Sequence, residues 1–346
     1  MAIEPKTALL WITGEGCMKI GKVPESVLKR AVLKQIHTKR KEVVLGAAVG
    51  EDCAAVALEE DEVFVLSTDP ITGTSVDVGE LAIQITLNDL ASAGAEPVGV
   101  MLSALLPPDI TEEDIKILIR QAEAACSKAN VQVMGGHTEV TAVVNQPVIT
   151  VTGVGKAKKG ALVTTAGAKP GMDIVITKWI GLEGTSILAK EKETELLKRF
   201  SAHFIRKAKK FDAMLSVLPE SAVAVRCGVG AMHDVTEGGI FGALWEMAES
   251  SGVGLEIELK KIPVKQETVE LCEFFGINPY GLIGSGAMLM ASFDGNGLVA
   301  ELQKAGIEAA VIGKATGSND RVLLNGEERR FLEPPKTDEL YKVLKG

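Results

Sequence analysis

The period of the apolar positions changes several times along this chain, and the changes mark alternating helices and strands. Residues 25–35 put Leu28 and Val32, with Ile36 just beyond, on one stripe, the spacing of a helix entered from the turn Gly21-Lys22-Val23-Pro24. Two apolar runs, 54–58 and 63–67, flank the acidic stretch Glu59-Glu60-Asp61-Glu62 and predict a hairpin. Residues 79–94 are mostly apolar or small on every side, as in a buried helix, and Pro97 stops the pattern. A strand over 98–106 comes next. Thr111-Glu112-Glu113-Asp114 then opens a helix with a capping-box-like start, along which Ile115, Leu118, Ile119, Ala122 and Cys126 recur at helical spacing. A strand at 131–134, a glycine-rich loop at 135–139 and a strand at 148–154 complete a first domain, residues 21–157, after an extension of residues 1–20.

The basic, glycine-ended segment Lys156-Ala157-Lys158-Lys159-Gly160 lacks an apolar period and reads as the border. A second domain, residues 158–346, follows. It contains a loop at 167–171, a strand at 173–177, a glycine-flanked turn at 181–185 leading into a helix, and a charged helical stretch at 191–210. Beyond it come an amphipathic helix at 240–249, a strand at 287–290 and a short final helix behind an exposed link at 333–336. This alternation predicts a two-domain protein of α+β (α/β) class.

Composition narrows the function. A chain of 346 residues exceeds the roughly 250–300 at which a single core stops growing, in keeping with two domains. Aromatics make up only 4% of it, so the core is aliphatic and small-residue. The net charge of −9 and the lack of basic runs interleaved with aromatics argue against nucleic acid as a partner. Five cysteines without a CxxC pair predict neither a disulfide framework nor a zinc ribbon, and a cytoplasmic home is expected. The uncharged run 274–293 is interrupted by Pro279 and four glycines, so a loop and a buried strand are expected there, not a membrane span.

Carboxylates among apolar neighbours carry the chemistry. Asn88 and Asp89 interrupt an apolar helix, Asp69 ends a strand before Pro70, and Asp52 follows Gly50-Glu51. A buried carboxylate costs several kcal/mol unless a cation or donors compensate it, so these acids predict a shared Mg²⁺, an ion that takes oxygen ligands together with phosphate. Each has a bland alternative: an Asp satisfied by amides or an Arg, or a turn former before proline. Gly135 and Gly136 let backbone amides approach an anion, with His137, Thr138 and Glu139 beside them. In His233-Asp234-Val235-Thr236-Glu237-Gly238-Gly239 the glycines precede a helix whose amides suit a phosphate, or whose first turn Asp234 or Thr236 caps. No P-loop is present, and no G-x-G-x-x-G leads from a strand into a helix.

In order, Gly50-Glu51-Asp52, Ser67-Thr68-Asp69, the 88–97 segment NDLASAGAEP, Gly135-Gly136-His137-Thr138 and HDVTEGG make the chain resemble one superfamily over about residues 20–330. It is the PurM-like superfamily of aminoimidazole ribonucleotide (AIR) synthetase, selenophosphate synthetase, thiamine-monophosphate kinase and the hydrogenase-maturation protein HypE. The resemblance implies an N-terminal sheet that pairs with a second subunit to close a barrel, and a C-terminal α/β domain covering ATP. It also implies Mg²⁺ held by Asp52, Asp69 and Asp89 with Asn88 alongside. Asp52, Asp89, His137 and Glu139 would be catalytic; Gly135, Gly136 and Thr138 would contact phosphate. Asp234, Thr236, Gly238 and Gly239 would line the acceptor side. Positioning and charge neutralisation suffice for phosphoryl transfer, so no covalent nucleophile is required.

Two departures qualify the resemblance. His137 stands where HypE and thiamine-monophosphate kinase have Asp, and imidazole is a poor Mg²⁺ ligand. HypE members end in a reactive cysteine, whereas the last cysteine here is Cys272. The expected function is therefore an ATP- and Mg²⁺-dependent, homodimeric, HypE-like enzyme acting on a small acceptor. The alternatives are hydrogenase maturation proper with a thiol supplied by a partner, and a non-catalytic nucleotide-binding module.

Overall fold

The computed structural model describes residues 21–22, 25–48, 54–71, 77–334 and 337–344. The first half contributes β1 (Gly21–Lys22), β2 (Val43–Leu45), β3 (Ala55–Val56), β4 (Glu62–Ile71), β5 (Glu96–Leu106), β6 (Gln132–Val140) and β7 (Val148–Lys158). Five of these form a sheet in the order β1-β6-β5-β7-β4, in which β5 and β6 run parallel. The helices are α1 (Glu25–Val27), continued by irregular turns to Gln35, α2 (Val78–Ser92) and α3 (Glu112–Ala129). α3 is the crossover that a parallel β5-β6 pair demands. It starts where the sequence indicates: Asp114 N donates to Thr111 Oγ1 at 3.2 Å and Thr111 N to Asp114 Oδ2 at 3.0 Å, the reciprocal capping box.

α2 and α3 cover one face of this sheet, with Ile83, Leu87, Leu90, Ile115 and Ile119 packed on Leu102, Ile149 and Val151. Period-two alternation along β4 turns Ser67, Asp69 and Ile71 to the covered face. Phe64 and Leu66 go to the other face, where they are 48% and 64% exposed.

The hairpin expected from residues 54–67 does not form. β3 pairs with β2, while β4 pairs with β7 along ten residues, from Glu62 opposite Lys158 to Ile71 opposite Ile149. A ten-residue ladder satisfies far more backbone groups than the two residues of β3 offer. The glycine-rich loop expected at 135–139 is also strand, the middle of β6.

The second half contributes α4 (Leu182–Glu191), α5 (Glu193–Leu196), α6 (Ala202–Lys209), α7 (Leu218–Cys227), α8 (Gly239–Ser251), α9 (Gln266–Phe275), α10 (Gly295–Lys304) and α11 (Leu340–Leu344). Its strands are β8 (Asp173–Thr177), β9 (Ala231–Asp234), β10 (Gly254–Glu258), β11 (Met288–Ser292), β12 (Ala309–Thr316), β13 (Arg321–Asn325) and β14 (Glu328–Phe331). They form one sheet in the order β14-β13-β10-β12-β8-β11-β9. Both faces are covered. Ile174, Ile176 and Leu289 pack under α8, whereas Val175, Met288 and Met290 pack under α7 and α10. β11 is buried at every residue, which explains the long uncharged run, and among the described residues no helix is long and apolar enough to cross a membrane.

α2 joins the halves. Ala91 enters the core of the second half, Ser221 Oγ donates to its carbonyl at 2.6 Å, and Val163 N donates to Ala93 O at 3.2 Å.

Candidate functional site

The apolar walls of α2 hold two polar side chains, with different fates. Asn88 is fully buried and points into the second half, where Nδ2 donates to Leu215 O at 2.7 Å and Oδ1 accepts from Val217 N at 3.0 Å. Its amide is spent on anchoring the 215–217 segment. Asp89, the next residue, turns toward β4. Ser67 Oγ lies 2.5 Å from Asp89 Oδ2 and 3.4 Å from Asp69 Oδ2, so one hydroxyl proton stands between two carboxylates. Burial first, then the hydrogen bond with Asp69 and the charge of Asp234, push the Asp89 carboxyl up to about 8.

Asp234 ends β9 and is nearly buried; its Oδ2 reaches no hydrogen-bond partner, and burial raises its pKa. Glu183, in the first turn of α4, is 2% exposed, and burial drives it up to about 7. Ser285 lies close enough to draw Glu183 down again, yet neither Glu183 Oε2 nor Ser285 Oγ completes a hydrogen bond. Among the described residues, no Lys or Arg forms an ion pair with Asp69, Asp89, Glu183 or Asp234.

Asp69, Asp89 and Glu183 meet at a cavity of about 330 Å³ between the halves, lined also by Thr236, Glu237, Ser285 and Tyr341 with a partly aliphatic wall including Ile85, Ile187 and Leu340. Among the described residues, no lysine or arginine lines it. An adjoining cavity of about 40 Å³ beside the Asp77–Lys190–Asp212 ion pairs shares Glu183 and has room for little more than a water or two.

The remaining candidates are distributed more widely. Asp52 lies outside the described residues. Gly135, Gly136 and Thr138 line a separate, smaller apolar cavity under the first helix. Gly136 has φ +150°, and a Cβ there would meet Leu102 O at 1.9 Å, so the strand pairing itself requires glycine. The register row Asp69, Val151, Leu102, Gly136 faces the helices, and the next row, Pro70, Thr150, Ser103, His137, faces away. His137 and Glu139 therefore stand on the opposite face from Asp69, three strand spacings across, about 14 Å at ~4.8 Å each. There His137 Nε2 and Glu139 Oε2 pair at 3.1 Å, half-exposed.

At the start of α8, Gly238 and Gly239 take left-handed φ of +83° and +61°. A Cβ on Gly239 would collide with Tyr280 O at 2.6 Å. The anion at this helix start is the protein's own: Asp338 accepts from Gly238 N at 2.7 Å, Leu340 N at 2.8 Å and Ile283 N at 3.2 Å. His233 is turned off to Glu246, 2.7 Å away on α8.

Glu183 and Ser67 were not candidates in the sequence reading. The signal for Glu183 was available: it is the single charge in the stretch 179–189, the same mark that singles out Asp89.

The residues 50–157 match the AIR synthase related protein, N-terminal domain, and residues 169–324 its C-terminal domain. The chain belongs to the AIR synthase related protein family. It is 28% identical over 333 residues to a protein of Methanocaldococcus jannaschii named for hydrogenase expression/formation, covering 93% of this chain and 97% of that one. It is 31% identical over 279 residues to carbamoyl dehydratase HypE of Cupriavidus necator, covering 77% and 76%. A hydrogenase maturation protein HypE solved in complex with ATP superposes with a TM-score of 0.72 at 19% identity, over 91% of this chain and 95% of that one. The fold is thus the PurM-like one of this family, with two mixed α/β halves.

Among the described residues no three His, Cys, Asp or Glu side chains gather into a metal site. Two come together, Asp69 and Asp89, and two carboxylates that no described lysine or arginine pairs with suit an ion that keeps phosphate and water as its other ligands.

Proposed function

We propose that this chain is an ATP- and Mg²⁺-dependent enzyme of the AIR synthase related family, HypE-like, that activates a small acceptor by phosphoryl transfer as a homodimer. The observation that carries this reading is the Asp69–Ser67–Asp89 contact at the wall of a cavity that no lysine or arginine lines among the described residues. Left alone, Asp89 keeps a proton because burial, and then its carboxylate neighbours, disfavour its charge. A divalent cation reverses that preference.

Asp69 and Asp89 would hold Mg²⁺, with Asp52 as a third carboxylate from outside the described residues. The ion supplies charge neutralisation between phosphate oxygens and the protein. The chain does the rest. Asn88 fixes the pitch of α2 against the second half, so Asp89 meets Ser67 and Asp69 in a set geometry. Ser67 orients the two carboxylates through its single proton. The aliphatic wall limits water, which strengthens every charge interaction inside. Thr236 and Ser285 bring hydroxyl groups to the acceptor side. Phe64, Leu66, His137 and Glu139 belong to the open sheet face on which a second copy would dock to close the barrel.

The test is ATP consumption by the purified protein with Mg²⁺ and acceptor mixtures. Turnover that falls at least ~100-fold in Asp89→Asn supports the reading. ATP that survives indefinitely under every acceptor condition would instead mark a nucleotide-binding module. A second reading, hydrogenase maturation proper, is favoured by the 31% identity to a carbamoyl dehydratase. Carbamoyl-dependent ATP consumption that appears only when a thiol-bearing partner is added would select it.

A further inference from the structure

Besides the two acids assigned to Mg²⁺, the cavity contains a second polar corner that the proposed metal does not use. Glu183 and Ser285 line it; they are 2% and 1% exposed, and Glu183 Oε2 and Ser285 Oγ are both without a hydrogen-bond partner. Two orphaned buried polar atoms on one wall are costly, and native structures retain such groups where a bound water, ion or ligand completes them. The surrounding charge has one sign. Glu237 also lines the cavity, the charges of Asp234 and Asp338 reach Glu183, and among the described residues no lysine or arginine lines the wall to receive an anion. A phosphate group arriving with the acceptor would face this wall without a counter-ion. A protonated nitrogen supplies both what the charge asks for and the hydrogens that the orphaned oxygens need.

Building on the phosphoryl-transfer reading, we infer that the acceptor is a phosphate-free, amine-bearing cation whose ammonium hydrogen-bonds to Glu183 Oε2 and Ser285 Oγ. Glu183 is then the residue that decides which acceptor enters. Its place in the first turn of α4, where the helix end favours a negative charge, keeps the carboxylate available once the cation arrives.

The test is thermal melting of the full chain, with and without a non-hydrolysable ATP analogue and Mg²⁺, against four probes at about 10 mM: ethanolamine, 1,4-diaminobutane, ethylene glycol and O-phosphoethanolamine. The amines are expected to raise the melting temperature, ethylene glycol to do so weakly, and O-phosphoethanolamine not at all. In Glu183→Gln the amine effect should weaken by roughly tenfold in apparent Kd, as the loss of a charge-assisted hydrogen bond implies, while affinity for the analogue stays within about twofold. Ser285→Ala should weaken the amines several-fold. Greater stabilisation by O-phosphoethanolamine or ethylene glycol than by the amines, no stabilisation by either amine, or an unchanged amine effect in Glu183→Gln overturns the assignment. The ranking of probes on the wild-type chain decides the matter even where a variant fails to fold. Amine binding without analogue binding would sink the phosphoryl-transfer reading while leaving the Glu183 corner standing.

Discussion

At the scale of single residues, the site is a problem of uncompensated carboxylates. Asp89 shows it best: burial and its neighbours lift the group from 3.8 to about 8. A group whose pKa is higher in the folded than in the unfolded state favours folding fully below the unfolded value, and that contribution is lost as pH rises through the folded value. Glu183, lifted from 4.5 to about 7, acts in the same sense. The metal-free protein should therefore lose melting temperature as pH rises from about 4 toward about 8, through these two groups. Asp89→Asn should flatten part of that fall and leave the share due to Glu183. Scanning calorimetry across pH in a chelator, repeated with Mg²⁺ and nucleotide, checks this; an equally steep fall in Asp89→Asn would contradict it. Read from sequence, a carboxylate among aliphatic residues singles out Asp89 and the end of a strand before Pro70 singles out Asp69, and the structure brings the two together at Ser67. Applied to residues 179–189 the first of these marks would have found Glu183. Ser67 gave no such signal, because a serine on a strand is ordinary until its neighbours across space are known.

At the scale of elements, local signals were legible and partner choice was not. The capping box of α3, the buried character of α2 and strand β8 follow from residues close in sequence. The 54–67 hairpin failed because strand pairing is decided at long range: β4 finds a ten-residue partner in β7, some eighty residues away. Gly135 and Gly136 read as loop because glycine weakens strands, but here Gly136 lets β6 approach β5 closely. The resemblance implies Asn88 beside the metal-holding acids, but a buried amide in an apolar helix signals function and anchoring alike. Its contacts with Leu215 and Val217 give it a clear energetic role. Asn88→Ala should cost about 3 kcal/mol, since it strands a buried carbonyl and a buried amide. Urea denaturation measures this, and a cost below about 1 kcal/mol would show that the 215–217 segment finds other partners.

At the scale of the whole molecule, two halves meet on α2 and leave the acid-lined cavity between them. The mixed α/β class was readable from the alternation of apolar periods. The location of the cavity was not, since it needs residues from β4, α2, α4 and α11 at once. The first sheet is packed by helices on one face and bears Phe64 and Leu66 on the other. On the dimer account, Leu66→Glu should convert a dimer to a monomer in light scattering after size exclusion, with the melting temperature of the monomer lowered. A wild-type chain that is monomeric at tens of micromolar would remove that part of the proposal.

The most direct measurement is isothermal titration of a non-hydrolysable ATP analogue into the wild-type chain and into Asp69→Asn and Asp89→Asn, each with Mg²⁺ and with chelator. The account predicts binding that depends on Mg²⁺ and weakens at least ~10-fold in either variant, about 1.4 kcal/mol or more. Equal affinity with Mg²⁺ and with chelator, undiminished when Asp69 and Asp89 lose their charge, would contradict it.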